Sequence, residues 1–146
     1  MKVVIQRVSK SSVSINNVMT SEIKTGLLLL VGFSDTDTGE TFDWMVKKIL
    51  NLRIFSDALG KMNFSLLDIG GEILVVSNFT LFADAKKGNR PSYTEAAKPE
   101  TAKLLYDKFL TILKESTELN VQSGEFGADM QIDLLNDGPV TIILEK

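Results

Sequence analysis

Two hydroxyl side chains, Ser77 and Thr80, follow an apolar run at residues 73–76. The run comes after Gly70-Gly71 and is rich in β-branched residues, which favours a buried strand over a helix. A rigid strand that delivers hydroxyls and free backbone N–H groups to its own end is a common way to build a site. Ser and Thr at strand ends also often only satisfy backbone groups, so a purely structural role stays open for both.

A basic loop at residues 83–92 comes directly after this strand. It carries three cations, Lys86, Lys87 and Arg90, against one acid, Asp84. Irregular loops of this length are more often functional than decorative. Cations beside a hydroxyl-bearing strand end would suit the phosphate backbone of a nucleic acid. The alternative is a solubilising surface loop.

The residue types that are missing restrict the chemistry. The chain has no cysteine and no histidine. A thiolate nucleophile, disulfides, Cys- or His-ligated metal and a Ser-His-Asp triad are therefore excluded. An enzyme with this composition would use hydroxyls, carboxylates, lysines, backbone dipoles or groups on its substrate. Asp35, Asp37 and Glu40 lack the spacing of a calcium loop, and we interpret them as solvated and helix-capping residues.

Composition indicates one globular domain over residues 1–146. Hydrophobic residues make up 44% and charged residues 24% of the chain, a profile typical of a folded protein without a disordered region. The longest apolar run, residues 27–31, is too short to span a bilayer, and no signal peptide is visible. We therefore expect a cytoplasmic protein. The net charge of −3 argues against bulk attraction to nucleic acid, although a local basic patch remains compatible with it.

The hydrophobic pattern predicts the elements that must position these residues. Amphipathic helices are predicted at residues 38–51, with Asp35 or Thr36 as the cap, and at residues 99–114. Asn16-Asn17 fits a hairpin turn, and Gly138-Pro139 also reads as a turn. Strands are predicted at residues 3–15 with a bend near residue 9, and at 18–23, 27–31, 52–55, 73–76, 120–123, 130–135 and 140–144. Two main helices and many strands without regular βαβ alternation indicate an α+β domain with a curled, mostly antiparallel, barrel-like sheet.

Two longer motifs carry a resemblance to a known family. Residues 77–81 read Ser-Asn-Phe-Thr-Leu, and residues 136–141 read Asn-Asp-Gly-Pro-Val-Thr. Together they resemble the signatures of the D-aminoacyl-tRNA deacylases, Ser-Gln-Phe-Thr-Leu and Asn-x-Gly-Pro-Val-Thr. Five further blocks match in order, at residues 5–8, 52–55, 60–63, 88–92 and 126–130. One departure is Asn78, where the family usually has Gln: its side chain is one methylene shorter, and its backbone N–H is unchanged.

The resemblance implies hydrolysis of the ester that joins a D-amino acid, or glycine mischarged on alanine tRNA, to the 3′-terminal ribose of tRNA. It implies a homodimer without cofactor or metal. With tRNA as the substrate, we predict that Lys86, Lys87 and Arg90 contact phosphates near the acceptor end. The Gly138-Pro139 bond would be cis and would project carbonyl groups into the partner subunit's pocket. Arg7 would hold that motif. The residues expected to line the pocket or touch the substrate are Leu81, Phe126 and Met130.

An aminoacyl ester is already activated, so a site without His or Cys is chemically reasonable. The backbone N–H groups of Phe79 and Thr80 could stabilise the tetrahedral oxyanion if both face the pocket. We also expect Ser77 and Asn78 to be catalytic residues, together with Phe79 and Thr80. Thr80 could attack directly, although no neighbouring base is visible to take its proton. We favour a route in which the 2′-hydroxyl of the substrate activates water and Thr80 positions it.

Other functions predict different behaviour. A non-catalytic RNA-binding module would bind tRNA without hydrolysing it, but the aromatic RNP strand and the Gly-x-x-Gly clamp are not visible. A small-molecule esterase would hydrolyse free D-amino-acid esters. Related deacylases that remove L-amino acids carry a different signature at residues 77–80. We expect no DNA or membrane partner.

Overall fold

The computed structural model describes every residue from Met1 to Lys146. Three helices, one 3₁₀ turn and eight strands make up the chain. The helices are α1 (Gly39–Asn51), α2 (Leu66–Ile69) and α3 (Pro99–Glu115), and the 3₁₀ turn is Phe79–Phe82. The strands are β1 (Lys2–Ile15), β2 (Val18–Ile23), β3 (Gly26–Gly32), β4 (Phe55–Ser56), β5 (Met62–Phe64), β6 (Glu72–Ser77), β7 (Val121–Ser123) and β8 (Met130–Glu145).

Six of the strands form one curled sheet. Its order is β2-β1-β3-β6-β7, and β8 pairs with β1. The three pairings of β1 are antiparallel, whereas β3–β6 and β6–β7 are parallel. The Ser21 hydroxyl on β2 donates to the Ser123 carbonyl on β7 over 2.7 Å, so the two ends of the order nearly meet. The predicted α+β domain with a barrel-like sheet is confirmed.

Both faces of the central strands are buried. One face of β3 and β6 joins a core cluster with α1 and α3, in which Phe33 meets Phe42 and Phe109 edge to face. The opposite face joins a second cluster with the distal half of β1. Burial on both sides explains why these strands read as continuous apolar runs instead of alternating ones.

The two long helices and the first hairpin confirm their predictions. Apolar residues of α1 and α3 face the core at the predicted spacing. Asn16 and Asn17 form the hairpin turn with φ of 52° and 63°. None of the helices combines the length and the apolar character needed to cross a lipid bilayer.

The start of α1 corrects two predictions. Its cap is Thr38, which pairs reciprocally with Thr41, and not Asp35 or Thr36. Asp37 is not solvated, because its carboxylate is buried and accepts a hydrogen bond from the Met1 ammonium group over 2.5 Å. The position of Asp37 depends on the chain start lying against this loop, which local sequence does not reveal.

Three further elements differ from expectation. The strand predicted at residues 52–55 is Phe55–Ser56, and the single-turn helix α2, capped by Ser65 and Asp68, was too short to give a periodic pattern. The two strands predicted at 130–135 and 140–144 are one strand, β8. Gly138-Pro139 is therefore not a turn but part of an irregular stretch in which the register to β1 shifts near Val8. An extended partner strand allows β8 to bulge and then resume pairing.

Candidate active site

A cavity of about 650 Å³ opens where β3 and β6 end. Val31 pairs with Ser77 in the parallel register, so the carboxyl ends of the two strands lie side by side. Such strand ends are common ligand sites in sheets with parallel strands. The start of α3 and the loop before β8 complete the wall. The polar groups of the lining come from Ser77, Asn78, Tyr93, Thr94 and Lys98.

Five of the predicted site residues meet in this cavity. Ser77, Asn78 and Phe79 line it from the strand end, and Phe126 and Met130 line it from the opposite wall. Residues nearly fifty positions apart are brought together because β6 and the loop before β8 flank the same opening. Thr80 and Leu81 lie in the 3₁₀ turn next to the cavity and are not among its lining residues.

The Asn78 side chain caps the turn that carries Thr80. Its Oδ1 atom accepts hydrogen bonds from the Thr80 N–H at 3.1 Å and from the Thr80 hydroxyl at 2.5 Å. The Thr80 N–H is therefore not free, which corrects the expectation of two free N–H groups facing the pocket. The Phe79 N–H makes no hydrogen bond within the chain. One backbone donor thus remains available at this end of the strand.

Tyr106 does not line the cavity but holds two of the segments that form it, and its role was missed by the sequence analysis. Its hydroxyl lies 3.1 Å from the Val75 carbonyl of β6 and 3.2 Å from the Gly124 carbonyl of the wall loop. Its ring also packs against Phe126, with centroids 5.7 Å apart. Burial raises the pKa of Tyr106 to about 12, so the phenol stays protonated as a donor. Because Tyr106 falls on the apolar face of α3, its spacing indicated only a core residue.

Tyr93 and Lys98 line the cavity, and the sequence did not indicate either of them. The Tyr93 ring meets the exposed Phe79 ring edge to face, with centroids 5.1 Å apart. Lys98 is the residue immediately before Pro99, the first residue of α3. A cation at the positive end of a helix favours an anionic group nearby. The only sequence signal for Lys98 was its place at a predicted helix start.

Arg7 is buried, at 7% exposure, and holds the second motif. Its Nε atom donates to the Asp137 carbonyl over 3.1 Å, and its Nη1 atom donates to the Ile54 carbonyl over 2.5 Å. Asn136 donates to the Arg7 carbonyl over 3.0 Å. We call this hydrogen-bonded group, formed by Arg7, Ile54, Asn136 and Asp137, the bracket. Gly138-Pro139 has a cis peptide bond and lies exposed on the surface beyond this bracket. The structure therefore connects Arg7 to the Gly-Pro motif.

The Gly-Pro motif lies apart from the cavity of its own chain. Arg7 pairs with Leu27 at the beginning of β3, whereas the cavity opens beside Val31. Four residues of extended strand separate the two positions, or about 13 Å. Neither Gly138 nor Pro139 lines the cavity. Within one chain, the two signature motifs do not form a single site.

The basic loop is exposed and lies outside the cavity lining. Lys86, Lys87 and Arg90 form no salt bridge. Asp84 organises the loop base, where it pairs with Ser92 and accepts from the Lys86 N–H. The chain contains no cluster of three or more metal-ligating side chains.

Comparisons with known proteins place the chain in a family. The sequence profile described as D-Tyr-tRNA(Tyr) deacylase matches residues 4–145. The chain is 55% identical to a D-aminoacyl-tRNA deacylase of Chlorobaculum tepidum and 52% identical to one of Petrotoga mobilis. Each match covers 100% of this chain and 97% of the relative.

Two solved structures are also similar. One is the c-Myc DNA Unwinding Element Binding Protein, with a TM-score of 0.95 and 43% identity over 100% of this chain and 99% of the other. The second is described as a probable eukaryotic D-amino acid tRNA deacylase. It has a TM-score of 0.82 and 21% identity over 98% of this chain and 97% of the other, which supports the fold. From the profile and the two full-length relatives, the chain belongs to the D-Tyr-tRNA(Tyr) deacylase family.

Proposed function

We propose that this protein hydrolyses the ester bond of D-aminoacyl-tRNA and releases the free D-amino acid and tRNA. The main support is the apolar cavity at the end of β6, which Ser77, Asn78 and Phe79 of the first signature line, together with a Phe79 N–H that has no partner within the chain. Its close relatives are named D-aminoacyl-tRNA deacylases. The enzyme would remove amino acids of the wrong chirality before they reach translation.

The reaction would take place between β6 and the wall loop. The free Phe79 N–H stabilises the tetrahedral oxyanion, and Ser77 and Asn78 supply polar contacts to the ester. The Thr80 hydroxyl donates a hydrogen bond to Asn78, so the lone pairs of its oxygen are free to accept a hydrogen bond from a water molecule and position it. The 2′-hydroxyl of the terminal ribose activates that water. Phe126 and Met130 pack against the amino acid and the terminal adenosine, and Leu81 supports the same end.

A homodimer would bring the two motifs together. The face around Gly138 exposes Leu134 and Leu135, and the cavity mouth exposes Phe79 and Tyr93. In a twofold dimer, the face around Gly138 of each subunit can cover the cavity mouth of its partner, so the same contact forms twice. Gly138-Pro139 of one subunit would then close the partner's cavity and exclude an L side chain by contact. Glycine, which has no side chain to exclude, would also be hydrolysed, including glycine mischarged on alanine tRNA.

The decisive test compares two enantiomers of one substrate. We expect D-Tyr-tRNA to lose its ester at least 100 times faster than L-Tyr-tRNA, with no change in EDTA, because no cysteine, histidine or acidic cluster offers a metal site. Release of labelled tyrosine measures both rates. Equal rates for the two enantiomers would contradict a function in removing D-amino acids. Binding of tRNA without hydrolysis would indicate a non-catalytic module. Comparable turnover of a free D-tyrosine ester would indicate a small-molecule esterase.

The basic loop is proposed to contact phosphates near the acceptor end. Changing Lys86, Lys87 and Arg90 to Ala together should raise KM for D-Tyr-tRNA and reduce its dependence on salt, because three exposed cations without ion-pair partners are removed. Initial rates at several salt concentrations measure this effect. Lys10→Ala, which removes an exposed cation on β1, serves as the control. An unchanged salt slope would leave the loop with a solubilising role only.

A further inference from the structure

A cationic groove runs along α1, outside the cavity. Trp44, Lys47, Lys48 and Asn51 follow each other at i, i+3, i+4 and i+7, so they lie on one face of the helix. The groove has a volume of about 450 Å³. We call it the α1 groove, and its lining residues are Trp44, Lys47, Lys48, Asn51, Leu52 and Arg53.

The lining of the α1 groove has charge of one sign. Lys47, Lys48 and Arg53 are exposed and form no salt bridge, and no carboxylate lines the groove. The nearest acid along the helix, Asp43, also forms none. Lys146 adds a fourth cation, because its Nζ atom lies 5.8 Å from the centroid of the Trp44 ring. This concentration is notable in a chain with a net charge of −3.

An aromatic ring among cations without ion-pair partners matches the chemistry of a nucleic acid, although Arg53 also donates hydrogen bonds to Asn63. Lys and Arg side chains neutralise phosphates, and an aromatic face accepts a base or a ribose. Trp44 is only half-buried, and the Lys48 Nζ atom lies 5.7 Å from its ring centroid, so both groups reach the same ligand. Glu40 and Asp43 are also exposed on α1, so the single sign of charge belongs to the groove lining and not to the whole helix.

The α1 groove ends beside the bracket that carries the Gly-Pro motif. Arg53 directly precedes Ile54, whose carbonyl accepts from Arg7, and Arg7 in turn holds Asp137. In the dimer proposed above, this bracket faces the partner's cavity. The α1 groove of one subunit would therefore lie next to the cavity of the other. From Trp44 to Asn51 the helix face is about 10 Å long, enough to follow more than one phosphate.

We infer that the α1 groove binds the phosphate backbone of the tRNA acceptor stem, while the 3′ end of the same tRNA occupies the partner's cavity. This inference rests on the proposed function for the identity of the RNA. The groove adds affinity for the body of the tRNA and takes no part in breaking the ester. It thus supplies a second anchoring surface besides the basic loop.

The test removes two exposed lysines without touching the bracket. Lys47→Ala/Lys48→Ala should raise KM for D-Tyr-tRNA about tenfold, lower the salt slope by roughly 2 and leave kcat unchanged. Turnover of 3′-O-D-tyrosyl-adenosine, which has no stem, should not change. Lys108→Ala/Lys114→Ala removes the same charge from exposed positions of α3 and should change neither KM nor the salt slope. Fluorescence anisotropy with uncharged tRNA gives a second readout that does not depend on catalysis.

The outcomes separate the inference from the function on which it rests. Equal KM and equal tRNA affinity for the two double variants would overturn the groove as a tRNA surface. Duplex DNA of acceptor-stem length that displaces tRNA as well as competing tRNA does would also overturn it, since the groove would then be a general duplex site. If the wild type hydrolyses neither substrate, the proposed function fails, and the anisotropy comparison still decides whether the groove binds tRNA.

Discussion

Replacing Gly138 by Ala should lower kcat/KM for D-Tyr-tRNA at least 100-fold while the protein stays folded and keeps the proposed dimer. Gly138 has a φ of 120°, which L side chains rarely adopt. A Cβ atom there would lie 2.9 Å from the Val140 Cγ2 atom and 3.0 Å from the Arg7 Nη2 atom. The added methyl group would therefore shift the Gly-Pro segment against the side chain that holds it. Because this segment is exposed, the shift would alter what the segment presents to a partner more than it would disturb the core.

Gly60→Ala is the matched control for this change. Gly60 also has a positive φ, 75°, but its added Cβ would meet nothing within 4 Å. It should lose about 1 kcal/mol of unfolding free energy and keep its activity. Thermal melting and sedimentation report folding and dimerisation of both variants. A fully active Gly138→Ala, or a fully active monomer, would contradict the role proposed for the Gly-Pro motif.

The second large effect should come from the substrate and not from Thr80. A D-Tyr-tRNA that ends in 2′-deoxyadenosine should react at least 100 times more slowly, because it lacks the hydroxyl that activates water. Thr80→Ala should retain measurable turnover, within about tenfold of the wild type. The Thr80 N–H would still donate to Asn78, so the turn would persist without the hydroxyl. Single-turnover rates measure both effects.

Two controls complete this comparison. Asn78→Gln introduces the residue usual in the family signature and tests whether the longer side chain still caps the turn. Thr80→Ser keeps a hydroxyl and should resemble the wild type. An acyl-enzyme trapped on Thr80, or complete loss of turnover in Thr80→Ala, would favour direct attack by Thr80 over the substrate-assisted route.

Local patterns predicted the elements well where burial alone decides which residues of an element are apolar. The apolar residues of α1 and α3 recur at helical spacing, and the runs that became β3 and β6 are apolar throughout. The short helix α2 and the Thr38 cap involve too few residues to form a pattern. The continuity of β8 was also hidden, because pairing with a long neighbouring strand overrides the turn preference of Gly138-Pro139.

The candidate site was predictable only in part, because several of its residues are positioned by contacts with distant parts of the chain. The first signature is local, so its place at a strand end could be expected from residues 73–80. Tyr93 and Lys98 reach the cavity, and Tyr106 reaches the strand and loop behind it, only through the packing of α3 and its preceding loop. Arg7 was a single charge among apolar neighbours, and its burial depends on acceptors more than forty residues away. The capture of the Thr80 N–H by Asn78 depends on side-chain geometry within the turn.

The side chains around the cavity also bear on how its reaction would respond to acidity. Its lining contains no carboxylate, imidazole or thiol, and Tyr106 beneath it titrates only at about pH 12. Since this pKa is raised from its ordinary value of 10.0, the protonated phenol stabilises the fold below pH 10, and that contribution is lost as the pH rises toward 12. Near neutrality the pH–rate profile would instead follow groups that the substrate brings, above all the α-amino group of the esterified amino acid. The ionisable groups of the substrate would thus set the pH dependence of the reaction near neutrality, and those of the enzyme would not.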